Sequence, residues 1–90
     1  MKLAEEVTAP TAAASIYSLT TVDVDRVNEI IIQAPAANAA NIYFGSPSAQ
    51  PGFILPGGSA TLWGASLKQT YVKGNGADTV IFLAPALDVV

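Results

Sequence analysis

The chain has 90 residues, 4 basic and 7 acidic side chains, no His, no Cys and a formal net charge of −3. Its length fits one domain with a modest core, and without His or Cys there is no zinc finger, thiolate nucleophile, Ser-His-Asp triad, His-ligated metal or disulfide. Four scattered cations make no nucleic-acid footprint, no apolar run reaches the length of a membrane span, and Lys2-Leu3-Ala4-Glu5-Glu6 builds no signal-peptide core.

Residues 1–15 read as an extended N-terminal arm. Glu5 to Ala14 carries no period of 2 or 3.6 in large apolar side chains, and Pro10 disfavours a helix through Ala9. Ile16 to Val22 is rich in β-formers and reads as the first strand. Asp23-Val24-Asp25 is a turn. Arg26 to Ala34 is the strongest strand signal, with Ile30, Ile32 and Ala34 on the core face and Val27, Glu29, Ile31 and Gln33 on the other. Pro35 ends it, having no N–H for a ladder.

Asn41 to Gly45 is the next strand, Ile42 and Phe44 inward and Tyr43 outward. Ser46 to Gly52 is loop by composition. Phe53-Ile54-Leu55 is a short strand stopped by Pro56-Gly57-Gly58, where Pro-Gly suits a type II turn. Ser59 to Gly64 follows. Lys68 to Lys73 and Asp78 to Leu83 are two strands, and Gly74-Asn75-Gly76-Ala77 between them reads as a hairpin loop. Ala86 to Val90 is a short apolar tail. About seven short strands divided by Gly and Pro turns predict an all-β fold, a small β-sandwich or barrel over residues 16–90. The expected core is Ile30, Ile32, Ile42, Phe44, Leu55, Leu62, Val72, Val80 and Phe82. Lys68 and Lys73 flank a strand they would protect from edge-to-edge pairing.

The reactive side chains form no catalytic or metal-binding pattern. Asp23-x-Asp25 lacks the further carboxylates of a calcium loop, apart from Glu29. Glu29 with Asp78 as an acid–base pair, or Ser59 with Lys68 or Lys73, has no supporting spacing. The glycines at 57 and 58 precede no Gly-Lys-Ser/Thr. The expectation is a protein that is not an enzyme and takes no cofactor or metal.

A binding role has better support. Hydrophobic residues make up 51% of the chain and charged ones 12%, against about 25% charged in ordinary domains. No charge lies between Glu29 and Lys68. A small domain exposes part of such a stretch, and partner chains are expected to cover it. Tyr43, Trp63 and Tyr71 are the aromatic candidates for that contact. Tyr43 alternates with Ile42 and Phe44, and Trp63 with Leu62, so both rings are expected outside. Val7 and Pro10 are the candidates on the arm, which is expected to reach a neighbouring subunit.

The order Val27-Asn28-Glu29-Ile30-Ile31-Ile32-Gln33-Ala34-Pro35, Asn41-Ile42-Tyr43-Phe44-Gly45, Gly52-Phe53-Ile54-Leu55-Pro56-Gly57-Gly58-Ser59, Leu67-Lys68-Gln69-Thr70-Tyr71-Val72 and Asp78-Thr79-Val80-Ile81-Phe82-Leu83 resembles small virion structural proteins of tailed bacteriophages. It covers about two-thirds of the chain, from Arg26 to Ala84, and consists of strand and turn chemistry. The resemblance implies many copies, no catalysis and function through surface complementarity. The expected role is a capsid decoration (cement) protein, a homo-oligomer on the major capsid protein or other virion proteins at the capsid surface, made in the host cytoplasm. A tail, neck or baseplate component of the virion, or a small carbohydrate-binding β-sandwich, are the alternatives. Neither nucleic acid nor membrane is an expected partner.

Overall fold

The computed structural model describes residues 3–85. The tail at 86–90 and the first two residues of the expected arm lie outside them. Among the described residues there are eight strands and one helical turn. These are β1 (Leu3–Thr8), β2 (Ala14–Ser15), α1 (Ile16–Leu19), β3 (Arg26–Gln33), β4 (Ile42–Gly45), β5 (Gly52–Ile54), β6 (Ser59–Ser66), β7 (Tyr71–Lys73) and β8 (Thr79–Ala84). They form two antiparallel four-stranded sheets, in the orders β1-β8-β3-β6 and β2-β7-β4-β5. The fold is an all-β sandwich.

Alternation builds the core. Val80, Phe82 and Ala84 of β8 are buried, as are Ile30 and Ile32 of β3 and Ala34 just beyond it. They meet Ile42, Ile54 and Val72 of the second sheet in one cluster. Phe44 and Leu62 are half-buried against it. Leu55 was expected in this core and is 60% exposed, and its neighbour Ile54 is buried instead. The register explains the exchange: Ile54 pairs with the inward-facing Ile42, so a period of two sends Leu55 outward. Val27 is also buried, on the opposite parity from the one expected. The alternation slips between Val27 and Ile30, where the ladder passes from Val27↔Ala65 to Glu29↔Trp63 and skips Asn28 and Gly64, whose φ is +59°.

Three further expectations are corrected. The first concerns Ile16 to Val22, which begins as a helical turn. The Ser15 hydroxyl accepts from the Ser18 amide at 3.1 Å, the Ser18 hydroxyl donates to the Ser15 carbonyl at 2.9 Å, and the Thr20 amide donates to the Ile16 carbonyl at 3.1 Å. Ser and Thr side chains offer the backbone these local partners in place of a ladder, and the turn still buries Ile16 completely.

The second correction is that β7 and β8 form no hairpin, because they belong to different sheets. The loop between them crosses the sandwich. Its end is tied to the 34–41 connector by Asp78, which accepts from the Ala39 and Ala40 amides at 2.9 Å each and from Asn75 Nδ2 at 3.0 Å. Asn38 completes the tie: its Nδ2 donates to the Thr79 carbonyl at 2.8 Å and its Oδ1 accepts from the Thr79 amide at 3.2 Å.

The third is that β7 lies inside its sheet, between β2 and β4, so Lys68 and Lys73 guard no edge. The strand there is also shorter than expected, because Leu67 turns into the core with its amide donating to the Asp25 carbonyl at 2.6 Å.

The stretch at 1–15 supplies β1 and β2. Strand β1 pairs with β8 from Leu3↔Ala84 to Thr8↔Thr79, and Leu3 and Ala9 are buried. The Glu5 carboxylate accepts from the Thr21 amide at 3.0 Å and the Thr21 hydroxyl at 2.6 Å.

The Asp25 turn gives a pH prediction. Its Oδ1 accepts from the Ser66 hydroxyl at 2.7 Å and the Lys68 amide at 3.0 Å. The Ser66 bond first, and the Lys68 bond second, hold the carboxyl below its ordinary value of 3.8. A carboxylate with a depressed folded pKa stabilises the fold above its unfolded pKa, and that contribution is lost as pH falls through the folded value. Asp25→Asn is therefore expected to lower Tm at neutral pH. The gap to the parent chain should close as the pH falls below 3.8, as thermal melts followed by circular dichroism at a series of pH values would show. A gap of constant size would exclude the linkage.

Candidate interaction flank

Strands β5 and β6 are each one of the two edge strands of their sheets, the others being β2 and β1, and they are consecutive in sequence. The link between them is a tight turn: the Gly58 amide donates to the Leu55 carbonyl at 2.8 Å, and Gly57 has φ +86°. This is the type II geometry expected of Pro-Gly. The Gly57 amide donates to the Ala34 carbonyl at 2.7 Å and the Ala34 amide to the Gly58 carbonyl at 3.0 Å. So short a link places both free edges on one flank of the sandwich.

The exposed large hydrophobic side chains gather at this flank. Among the described residues they are Tyr43 (38% exposed), Phe53 (59%), Leu55 (60%) and Trp63 (73%). Tyr43 and Phe53 are direct cross-strand partners on the outer face of the second sheet. Trp63 projects from the outer face of the first, opposite Glu29. The aromatic rings thus bracket the edge from both sides. Neither β5, β6 nor the link between them carries a charge. Charge begins one strand further in on the first sheet, with Glu29 beside Trp63, and two strands further in on the second, with Lys73, which pairs with Tyr43 and holds its Nζ 6.0 Å from that ring's centroid. An apolar centre with a polar rim is the anatomy of a protein–protein contact. Edge strands add a row of backbone donors and acceptors open to a new strand, and β6 has no Lys or Pro to block it.

The five residues expected to make partner contacts separate here. Tyr43 and Trp63 lie on the flank. Tyr71 is half-buried within the second sheet, paired with Ser15 and Gly45. Val7 is half-buried against the core opposite Val80. Pro10 is half-buried, and its carbonyl accepts from the Gly74 amide at 2.7 Å. Phe53 and Leu55 are the additions. Their signal was their place in the charge-free stretch, but a strand of three residues leaves its parity open.

The carboxylates considered for chemistry serve the fold. Asp25 and Asp78 are committed to loops as described, and the Tyr17 hydroxyl donates to Asp23 at 3.1 Å. Glu29 stands in mid-β3 while Asp78 holds the 34–41 connector. Among the described residues no three carboxylates gather into a possible metal site. Lys68 places its Nζ 4.8 Å from the Tyr17 ring centroid, and Ser59 opens β6 opposite Gln33. No protein-family model, curated protein or solved structure matches the chain.

Proposed function

We propose that the protein is a non-enzymatic structural component of a tailed-bacteriophage virion, a capsid decoration protein that stabilises the assembled shell by protein–protein contacts. The observation that carries a binding role is the charge-free flank, where two free sheet edges meet the exposed Tyr43, Phe53, Leu55 and Trp63. The resemblance of the Arg26–Ala84 stretch supplies the virion setting. A protein that binds the assembled lattice and not loose subunits shifts the equilibrium toward assembly, and many copies act together through avidity. The major capsid protein and further copies of this chain are the partners on this reading.

Quantitative peptide mass spectrometry on purified particles, scaled to the most abundant shell protein, tests the setting. Copies in the hundreds support decoration of the capsid. A few dozen or fewer place the protein on the tail, neck or baseplate. Absence from particles overturns the virion reading and favours a free binding module, carbohydrate included.

The flank itself is tested by Trp63→Ala and Phe53→Ala. Each is expected to weaken association by about 2 kcal/mol, the scale of an aromatic hot spot and about 30-fold in Kd, while leaving the melting curve of the free protein almost unchanged. Unaltered particle occupancy with both variants would exclude the flank.

A further inference from the structure

We propose that Asn75 is a deamidation site gated by the docking of the N-terminal segment. Asn75-Gly76 is an Asn-Gly dipeptide in the exposed loop between β7 and β8, and Gly76 has φ +82°. The reaction is intramolecular. The Gly76 amide nitrogen loses its proton and attacks Cγ of Asn75. The new N–Cγ bond closes a cyclic imide, the Cγ–Nδ2 bond breaks, and Nδ2 takes up a proton and leaves as ammonia. Water then opens the imide at either carbonyl, to aspartate or isoaspartate. Glycine at the second position offers no side chain to hinder the attack.

In the folded chain both reacting groups are held. The Gly76 amide donates to the Ala9 carbonyl at 2.9 Å, which opposes its deprotonation. Asn75 Oδ1 accepts from the Ala77 amide at 3.0 Å and the Asp78 amide at 2.7 Å, and Nδ2 donates to Asp78 Oδ2 at 3.0 Å. The first of these restraints belongs to the segment that follows β1. That segment is stitched to the loop by two further bonds, from the Ala9 amide to the Asp78 carbonyl at 2.8 Å and from the Gly74 amide to the Pro10 carbonyl at 2.7 Å. Lifting Ala9 and Pro10 away frees the nucleophile and loosens the loop, and of the core cluster it uncovers first the small Ala9 side chain. Loss of ammonia makes the conversion irreversible, and the product redocks poorly. A carboxylate at 75 loses the Nδ2 donor and faces the Asp78 carboxylate. Isoaspartate also lengthens the backbone between two amides, those of Gly74 and Gly76, that must return to Pro10 and Ala9. Asn75 would thus record, irreversibly, every chain whose N-terminal segment has spent time undocked.

The test follows the whole protein in mildly alkaline buffer, with Asn, Asp and isoAsp at position 75 resolved by peptide mass spectrometry. Gly74→Ala serves as the unlocking variant, because its Cβ would lie 2.5 Å from that of Ala9, a far closer clash than its 3.3 Å approach to Ile42 Cδ1. It is expected to convert at least about tenfold faster than the parent chain, in line with the larger open population, while its circular dichroism still reports intact sheets. In the parent chain under graded denaturant, conversion should accelerate with hydrogen exchange of the Gly76 amide and ahead of exchange at Ile30 and Phe82. That second measurement stands even if Gly74→Ala fails to fold. Conversion in buffer as fast as in full denaturant overturns the proposal. So does conversion that rises only with exchange of the core amides.

Discussion

Phe82→Ala is expected to cost about 3–5 kcal/mol, the range for truncating a buried aromatic ring, out of the 5–15 kcal/mol that small domains usually hold. Phe82 is fully buried on β8, in register with Glu5 of β1 and Ile32 of β3. Removing its ring opens a void where both sheets meet, and the flanking strands cannot close it without breaking two ladders. In a domain of this size each kcal/mol moves Tm by about 4–8 °C, so thermal melts read the loss directly. Phe53→Ala is the internal control. Its ring is 59% exposed, and its truncation should change stability by less than about 1 kcal/mol. Equal losses for the two phenylalanines would contradict the burial pattern.

The second large effect is expected at Asp78, the buried charged residue among those described. Its carboxylate receives the Ala39 and Ala40 amides and Asn75 Nδ2. Asp78→Ala leaves three donors without their acceptor at a crossing of two loops. Hydrogen bonds to a charged acceptor contribute about 1.5–3 kcal/mol each, less where water can enter. A total loss of about 2–4 kcal/mol follows, read by urea unfolding. Asp78→Asn should recover part of it, since one oxygen still accepts while the new amide nitrogen meets a donor. A silent Asp78→Ala would show that the 34–41 connector is held without this carboxylate.

Strands with several alternating large side chains were readable in the sequence. In β3, β4 and β8 an apolar residue at every second position can face only one way if a core is to form, and Ile30, Ile32, Ile42, Val80 and Phe82 are buried accordingly. Elsewhere the deciding partner is remote. Ile16 enters a turn because Ser15 and Ser18 bond locally, a preference that β-propensity does not encode. The loop at 74–77 crosses between the sheets because Asp78 and Asn38 bind each other's segments, and no local spacing reports that. At the flank, the parity of Tyr43 and Trp63 could be read against Ile42, Phe44 and Leu62. Phe53 and Leu55 needed the Ile42↔Ile54 register. Val7 and Pro10 carry no local sign that their neighbours come from the opposite end of the chain.

That distant pairing also sets an order of events during synthesis. The Thr79 hydroxyl donates to Glu6 across 73 residues of sequence, and among the described residues β1 has its ladder only on β8. A ribosome releases β1 long before its partner strand exists. The first strand made must therefore wait as open chain until nearly the whole sandwich has emerged. Closing so long a loop is slow for entropic reasons. While it lasts, β1 leaves its row of backbone donors and acceptors unpaired, and the same is true of the β8 edge that will receive it.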